Sequence, residues 1–209
     1  MNPKDMVAQS YDQIAHRYTA WAGNIRTEER ARYASVLLDR LPHDAQVLEL
    51  GCGPGLASTQ RLAQRFSVTS VDISIEQINL ARQNVPNAKF ICGDMCRLNF
   101  PPASFDAIAA FYSIIHVPRE EHAPLLKSIV TWLRPGGLLV ATMGVGSVEG
   151  DVTDNWLGLG VPMYWSSFDG GTNRDLIEHA GFHIISAQQE TENEEGVPVT
   201  FLWIVAQKP

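Results

Sequence analysis

Long apolar runs are absent from this sequence of 209 residues, and so is a secretory leader. No stretch of 18 or more apolar residues is present, which a membrane-spanning helix would need. The first residues lack the basic flank and apolar stretch of a signal peptide. We therefore expect a soluble, cytoplasmic protein with no membrane partner. The length suits one full core and is too short for two ordinary domains, so we expect a single domain over residues 1–209.

Basic clusters and cysteines are also scarce. The formal net charge is -7 and no basic run stands out, which argues against a nucleic-acid partner. The three cysteines, Cys52, Cys92 and Cys96, fit the spacing of neither a disulfide framework nor a zinc site. We interpret them as reduced thiols. A small molecule is the expected partner, and the sequence is compatible with a monomer or a homodimer.

Residues 47–55, Val-Leu-Glu-Leu-Gly-Cys-Gly-Pro-Gly, are the stretch by which the rest of the chain can be placed. An apolar run that ends in closely spaced glycines predicts a buried strand, a tight turn and a helix start. Gly51 and Gly53 permit a positive φ and leave room for a ligand. Glu49 lies inside the strand, where a carboxylate could face the amino group of a zwitterion but would repel a pyrophosphate by about 1 kcal/mol or more.

Two nucleotide-binding interpretations compete for this turn. The dinucleotide fingerprint is G-x-G-x-x-G, but here the third glycine comes one residue early, at Gly55, and Leu56 occupies the fingerprint position. The pattern E-x-G-x-G-x-G instead resembles motif I of the class I S-adenosylmethionine (SAM)-dependent methyltransferases, of the small-molecule type. An NAD-dependent oxidoreductase and a SAM-binding protein without methyl transfer are the alternatives.

Hydrophobic periodicity predicts alternating helices and strands along the chain. Helices are expected at residues 6–22, 24–41, 56–66, 74–85, 118–133 and 172–180. Strands are expected at residues 46–50, 68–72, 88–92, 105–111, 138–143, 182–189 and 199–206. We predict an α/β, Rossmann-like three-layer sandwich, with a mostly parallel seven-stranded sheet and a C-terminal antiparallel hairpin. This order resembles the class I methyltransferase sheet over essentially the whole chain.

In an open α/β sheet the ligand lies beyond the carboxyl ends of the strands. Asp72 follows the second strand, where a carboxylate can accept from both hydroxyls of a ribose. Asp94 and Met95 follow the third strand; the aspartate can accept from an exocyclic amine, and the methionine can pack on a flat ring. This Gly-Asp-Met also resembles the adenine-binding motif of the family. Phe111, after the fourth strand, would lie beside the methionine part of the cofactor.

The expected SAM site extends beyond these strand ends. Cys52 would present its backbone, and Gln77 would edge the adenine, although a solvated glutamine fits its position as well. The residues expected to bind the cofactor are Tyr18, Glu49, Gly51, Cys52, Gly53, Asp72, Ile73, Gln77, Asp94, Met95 and Phe111.

Residues 1–42 are predicted to form an N-terminal helical lid. Apolar side chains recur every three or four residues from Val7 to Trp21, which indicates one helical stripe. The string Tyr-Asp-x-x-Ala-x-x-Tyr at residues 11–18 resembles the lid segment of small-molecule methyltransferases, whose second tyrosine often touches the cofactor. Simple packing of the stripe on the domain is the alternative.

The acceptor is expected to bind under this lid and under a substrate-cap loop at residues 144–165, which is too long for a plain turn. His116 is the candidate catalytic residue, because an imidazole could remove a proton from a phenol, thiol or activated carbon. Packing beside the cofactor is the other role open to it. The expected substrate contacts are Tyr11, Trp21, His116, Met143 and Trp165.

Two features that the sequence lacks narrow the class of acceptor further. Ala-Phe-Tyr-Ser at residues 110–113 replaces the Asn/Asp-Pro-Pro-Tyr/Phe motif of nucleic-acid amino methyltransferases. The ends of strands four and five offer none of the carboxylates that metal-dependent catechol methyltransferases need, so we expect no metal. The hypothesis is SAM-dependent methyl transfer to a small, aromatic or heterocyclic acceptor. Oxygen is favoured as the accepting atom, with nitrogen, sulfur and carbon left open.

Overall fold

The computed structural model describes residues 2–56, 58–194 and 196–209. Within these residues the helices are α1 (Pro3–Ala22), α2 (Thr27–Arg40), α3 (Ser58–Ala63), α4 (Ile75–Asn84), α5 (His122–Trp132) and α6 (Gly170–Ala180). The strands are β1 (Gln46–Leu50), β2 (Ser67–Asp72), β3 (Lys89–Cys92), β4 (Phe105–Ala110), β5 (Leu133–Met143), β6 (Val148–Thr153), β7 (Met163–Ser167), β8 (His183–Glu194) and β9 (Val197–Gln207).

Seven of these strands form one sheet in the order β3-β2-β1-β4-β5-β9-β8. The strands from β3 to β5 pair in parallel, and β9 pairs antiparallel with both β5 and β8. The predicted Rossmann-like, mostly parallel sheet with its C-terminal hairpin is therefore confirmed. The chain runs outward from β1 to β3 and then resumes at β4, so β1 and β4 flank the switch point at which such sheets bind ligands.

Helices cover both faces of the sheet, because parallel strands are apolar on both sides. On one face, Ile129 of α5 and Ile177 of α6 are fully buried against the strands. On the other face, Leu37 of α2 and Leu62 of α3 are fully buried in the same way. Because these two layers cover the faces of the sheet, a ligand cavity is expected at its carboxyl edge.

Helix α1 crosses that carboxyl edge and lies against α4 and β7. The Asn2 side chain caps its N-terminus by accepting from the Lys4 backbone, and Pro3 at the first helical position needs no N–H partner. Val7 and Ile14, on its apolar stripe, are buried against the β6–β7 segment. The stripe is thus the side of α1 that faces the molecule.

The connection at residues 144–165 differs from the expectation of a loop. Strands β6 and β7 form a separate two-stranded antiparallel sheet, joined by a short 3-10 turn at Trp156–Gly158. The register shifts between Glu149 and Asp151, around Gly150, whose φ is 87°. A glycine-rich segment that suggested irregular structure therefore forms a bulged hairpin.

Other differences concern element ends. Helix α2 begins at Thr27 because Arg26, with φ at 55°, adopts a left-handed conformation that cannot continue a helix. Strand β5 begins earlier than predicted, at Leu133, and α3 is shorter than predicted. When the helices in the described part of the chain are compared with the length and hydropathy that a bilayer requires, none qualifies as a membrane span.

Candidate active site

A cavity lies at the switch point, between the carboxyl ends of the parallel strands and helix α1. Its strand-end wall includes Gly51, Asp72 and Asp94, and its α1 wall includes Lys4 and Tyr11. The sequence placed the first three of these residues beyond three different strands. The parallel sheet brings those ends to one edge, which is why they meet.

In the glycine turn, Gly51 permits close packing and Gly53 leaves open space beside the cavity. Gly51 has φ at 79°, and a Cβ built there would lie 2.2 Å from the Cβ of Ser113, in the loop after β4. Ser113 in turn donates from Oγ to the Leu50 carbonyl at 2.7 Å. Gly53 has φ at 53°, and a Cβ added there would have its nearest described neighbours, atoms of Tyr18 and Gln77, 4.0 Å away. Gly53 therefore leaves space that a ligand can use.

Asp72 joins this turn to the next strand. Its Oδ2 accepts from the Gly53 backbone at 2.8 Å, and its Oδ1 accepts from the Ser74 backbone at 3.0 Å. Burial raises the pKa of the carboxyl to about 6, against the lowering effect of these backbone donors. Each carboxylate oxygen can accept a further bond, so Asp72 can also accept from a ligand.

Gln77 gives the clearest sign that the cavity is built for a polar ligand. The side chain is only 1% exposed and lines the cavity. Within the described residues, neither its amide oxygen nor its amide nitrogen has a hydrogen-bond partner. Burying such a group unpaired costs about 1–3 kcal/mol, which a ligand offering both a donor and an acceptor would offset.

Asp94 and Met95 form the far end of the cavity, together with Lys4 of α1. Asp94 Oδ1 accepts from the Cys96 backbone at 2.9 Å, while Oδ2 pairs with Lys4 Nζ at 2.6 Å. Lys4 also donates to Glu121 at 2.8 Å. The carboxylates raise the pKa of Lys4 despite its partial burial, so the amine stays charged. This end of α1 is thus tied to the body by a largely buried ion pair.

From the middle of α1 toward its C-terminus the wall is aromatic. Tyr11 and Tyr18 meet edge to face, with ring centres 4.9 Å apart, and His116 completes the wall. The Tyr11 hydroxyl lies 3.2 Å from His116 Nε2, and His116 Nδ1 lies 2.9 Å from the Tyr164 carbonyl oxygen. Burial lowers the pKa of His116 to about 4, so the ring is uncharged at neutral pH.

Comparison with known proteins identifies the domain that carries this cavity. Residues 47–137 match a family model described as a methyltransferase domain. Trans-aconitate 2-methyltransferase of Azoarcus sp. (strain BH72) is 40% identical over 121 residues, which cover 56% of this chain and 46% of that protein. The 2-methyl-6-phytyl-1,4-hydroquinone methyltransferase of Synechocystis sp. is 32% identical over 142 residues, covering 66% of this chain and 39% of that protein. The chain thus matches less than half the length of either curated relative.

A solved structure shares the fold across nearly the whole chain. It is the 1,6-didemethyltoxoflavin-N1-methyltransferase of Burkholderia thailandensis, with bound 1,6-didemethyltoxoflavin and S-adenosylhomocysteine. The TM-score is 0.72 at 20% identity, over 96% of this chain and 86% of that one, so the likeness concerns the fold alone. The family match over residues 47–137 and the relatives support a class I SAM-dependent methyltransferase domain.

Most residues expected to bind the cofactor of this methyltransferase domain do line one cavity. Those brought together are Tyr18, Gly51, Cys52, Gly53, Asp72, Ile73, Gln77, Asp94, Met95 and Phe111.

Glu49 is the exception, and its expected contact with an amino group needs correction. Glu49 does not line the cavity; strand alternation places its side chain against α3, on the face that also buries Val47. There the carboxylate accepts from the hydroxyls of Ser58, Thr59 and Ser70 at 2.5, 2.6 and 3.0 Å. Burial raises its pKa, and these hydroxyls oppose the rise. Glu49 thus secures α3 to the sheet of the methyltransferase domain.

The expected acceptor contacts divide in a similar way. Tyr11 and His116 line the cavity, whereas the described cavity wall does not include Trp21, Met143 or Trp165. Met143, at the end of β5, points into the apolar core beneath α5 and α6. Trp165 lies behind His116, with ring centres 4.6 Å apart. It supports the wall from outside rather than forming it.

The cavity residues that were not anticipated include Lys4, Arg30 and Ser113. The Arg30 guanidinium lies 4.8 Å from the centre of the Tyr112 ring and donates to the Ala22 and Ile25 carbonyls. Nothing in the local pattern distinguishes Lys4 or Arg30 from other charged residues on helix surfaces. Ser113 had a usable signal, since it lies three residues after the end of β4 in the parallel sheet.

Proposed function

We propose that the chain binds SAM in this cavity and transfers its methyl group to a small, aromatic or heterocyclic acceptor, with oxygen as the favoured accepting atom. Because the curated relatives are longer than the matched region, the activity of the whole protein is part of this proposal. The family match supports methyl transfer, and the two ends of the cavity support the assignment of cofactor and acceptor sides.

The observation that carries the proposal is the polar end of the cavity, where the residues fit a nucleoside with an amino-acid tail. Asp72 would accept from ribose hydroxyls, and Met95 would pack on the base beside Asp94. The unpaired Gln77 amide would donate and accept at the space left by Gly53. When bound, SAM supplies a methyl carbon that its sulfonium makes electrophilic.

With such a donor, the protein mainly has to align the reactants and exclude water. Helix α1 is placed to do both. Its first turn is tied down through Lys4, and its middle through Asp12, which accepts from Ser74 Oγ at 2.6 Å at the start of α4. Ser10 reaches the β6–β7 hairpin by donating to the Pro162 carbonyl at 2.5 Å. We assign residues 1–42 as the lid and the hairpin as the cap that supports it.

The aromatic end of the cavity would hold the acceptor. Tyr11 and His116 are lined up there, and Trp156 packs behind them with ring centres 5.5 and 6.4 Å away. These rings pack edge to face, at interplanar angles of 74° to 83°, and form an apolar aromatic wall that suits a small aromatic molecule. The Tyr11 hydroxyl and the His116 ring supply its polar atoms.

The test separates cofactor binding from transfer. Titration calorimetry of the purified chain should give binding heat with SAM and S-adenosylhomocysteine and none with NADH. A screen of small aromatic hydroxyls and heterocycles with SAM should then release S-adenosylhomocysteine. Heat with NADH alone would contradict the cofactor assignment. Tight SAM binding without release of S-adenosylhomocysteine for any acceptor would contradict methyl transfer and indicate a SAM-binding protein.

A further inference from the structure

The hydrogen-bonded chain of Tyr11, His116 and the Tyr164 carbonyl has a fixed direction. A carbonyl oxygen only accepts, so His116 Nδ1 must carry the proton of the 2.9 Å bond. A neutral imidazole has a single N–H, which leaves Nε2 as an acceptor. The Tyr11 hydroxyl, 3.2 Å away, therefore donates its only proton to Nε2. Toward the cavity, Tyr11 can then only accept a hydrogen bond.

We propose that Tyr11 and His116 form a proton relay, in which Tyr11 contacts the acceptor and His116 receives the proton through it. This inference rests on the proposed function and deepens it, because it names the class of acceptor. A methyl acceptor that faces Tyr11 must donate a hydrogen bond to the Tyr11 oxygen, so it must bind with its proton still attached. A phenolic or enolic hydroxyl on a small flat molecule meets this requirement. A carboxylate does not, because it has no proton to donate and its lone pairs would repel those of the Tyr11 oxygen.

Protons, electrons and charge all balance in the transfer step. The acceptor hydroxyl gives its proton to Tyr11 Oη while the proton of Tyr11 passes to His116 Nε2. The electron pair left on the acceptor oxygen forms the bond to the methyl carbon, and the pair of the broken carbon–sulfur bond stays on sulfur. One positive charge disappears from sulfur as one appears on His116. The net charge of the closed cavity is therefore unchanged, which offsets the cost of a buried imidazolium.

The surroundings of the two residues suit this role. His116 is enclosed by aromatic rings, and burial keeps its pKa low, so Nε2 retains its lone pair at neutral pH. Burial raises the pKa of Tyr11 well above its ordinary value; Tyr18, through its charge and a side-chain hydrogen bond, and Asp72 add to the rise, while Arg30 opposes it. Tyr11 therefore stays a phenol at rest and passes a proton on without holding a charge.

The first test needs no acceptor. Nitrogen-15 NMR of the full chain should show the Nδ1–H form of His116, with Nε2 unprotonated from pH 6 to 8. Tyr11→Phe, which removes the hydroxyl and keeps the ring, should shift the Nε2 resonance and leave Nδ1 in place. The Nε2–H form, or a Tyr11→Phe spectrum identical to the wild type, would overturn the relay.

The second test uses phenols of graded acidity as probes, from 4-methylphenol to 4-nitrophenol, with benzoate as the carboxylate. At pH 8, Tyr11→Phe and His116→Asn should lower kcat roughly 100-fold or more on 4-methylphenol and only a few-fold on the already ionised 4-nitrophenol. Asparagine keeps a donor for the Tyr164 carbonyl but lacks Nε2. Tyr33→Phe, which removes another buried hydroxyl outside the cavity, should match the wild type.

The outcomes keep the relay separate from the proposed function. Both variants should bind S-adenosylhomocysteine within about twofold of the wild type. A wild-type chain that fails to bind S-adenosylhomocysteine would refute the cofactor site itself. Equal losses across all phenols, or methylation of benzoate in preference to phenols, would refute the relay while methyl transfer stands. If no probe reacts, the tautomer of His116 in the NMR test decides whether the relay stands.

Discussion

The two ends of the cavity are built in different ways. At the polar end, the proposed nucleoside end, backbone groups of neighbouring residues hold the polar side chains: Gly53 and Ser74 fix Asp72, and Cys96 fixes Asp94. At the aromatic end, the proposed acceptor end, side chains from distant elements hold one another. Tyr11 of α1 meets His116 of the loop after β4, and His116 meets the main chain of β7.

This difference bears on how each end responds to motion. Asp72 keeps both of its backbone donors whether or not α1 is in place, so the nucleoside end is largely preformed. The acceptor end requires α1 and the hairpin to be docked together, because α1 supplies Tyr11 while the hairpin packs behind α1 and holds His116 through the Tyr164 carbonyl. We therefore expect cofactor binding to tolerate changes in the aromatic wall and acceptor turnover to depend on them.

The largest expected effect is that of Gly51→Ala, a substitution in the glycine turn at the preformed nucleoside end of the cavity. The new Cβ would meet Ser113 at 2.2 Å, in a backbone conformation that disfavours side chains. We expect the free energy of unfolding to fall by roughly 2–5 kcal/mol and S-adenosylhomocysteine binding to be lost. Chemical denaturation and calorimetry measure the two effects.

The matched control for this variant is Gly146→Ala. No described heavy atom lies within 4 Å of the Cβ position at Gly146, and its φ is not positive. This substitution should change the unfolding free energy by less than about 0.5 kcal/mol. Equal stability of the two variants would show that the glycine turn is not held against the loop after β4.

A smaller effect is expected from Asp72→Asn, which keeps the shape but removes the charge. S-adenosylhomocysteine affinity should fall by about 1.5–3 kcal/mol, or roughly 10- to 100-fold, as carboxylate bonds to ribose are lost. Exposed Asp175→Asn is the control and should leave affinity unchanged. Unchanged affinity in Asp72→Asn would remove the ribose assignment.

The same variant has a pH signature. The folded pKa of Asp72 is raised from 3.8 to about 6, so the folded state holds its proton longer than the unfolded state does. The contribution of Asp72 to stability is therefore present below pH 3.8 and is lost as the pH rises through about 6. Asp72→Asn should abolish this decline in denaturation curves recorded from pH 4 to 7, and a wild-type slope retained in the variant would contradict it.

The smallest expected effect is that of Lys4→Met, which loosens the lid without touching the preformed turn. Asp94 and Glu121 would lose their shared partner, so α1 should open more often. We expect S-adenosylhomocysteine to dissociate roughly three- to tenfold faster in stopped-flow measurements. Exposed Lys127→Met should match the wild type. Unchanged dissociation in Lys4→Met would mean that α1 does not gate the cavity.

Some site residues could be placed correctly from the sequence and others could not. Gly51, Asp72 and Asp94 were placed correctly beside one cavity because each follows a strand, and parallel strands end on the same edge. Glu49 was misplaced because the hydroxyls that hold it belong to α3 and β2. A pattern within β1 carries no information about those partners.

The sequence by itself determined the order of the seven strands in the main sheet, the terminal hairpin and the strand-end residues that line the cavity. All of these follow from local periodicity and from residues at strand ends, where each side chain is oriented by its own backbone. Only the tertiary structure decided that Lys4 reaches Asp94, that residues 148–167 form a hairpin, and that the Tyr11 hydroxyl lies within hydrogen-bond distance of His116. These contacts join residues that lie far apart in the chain, and their geometry depends on how whole elements pack rather than on any short pattern.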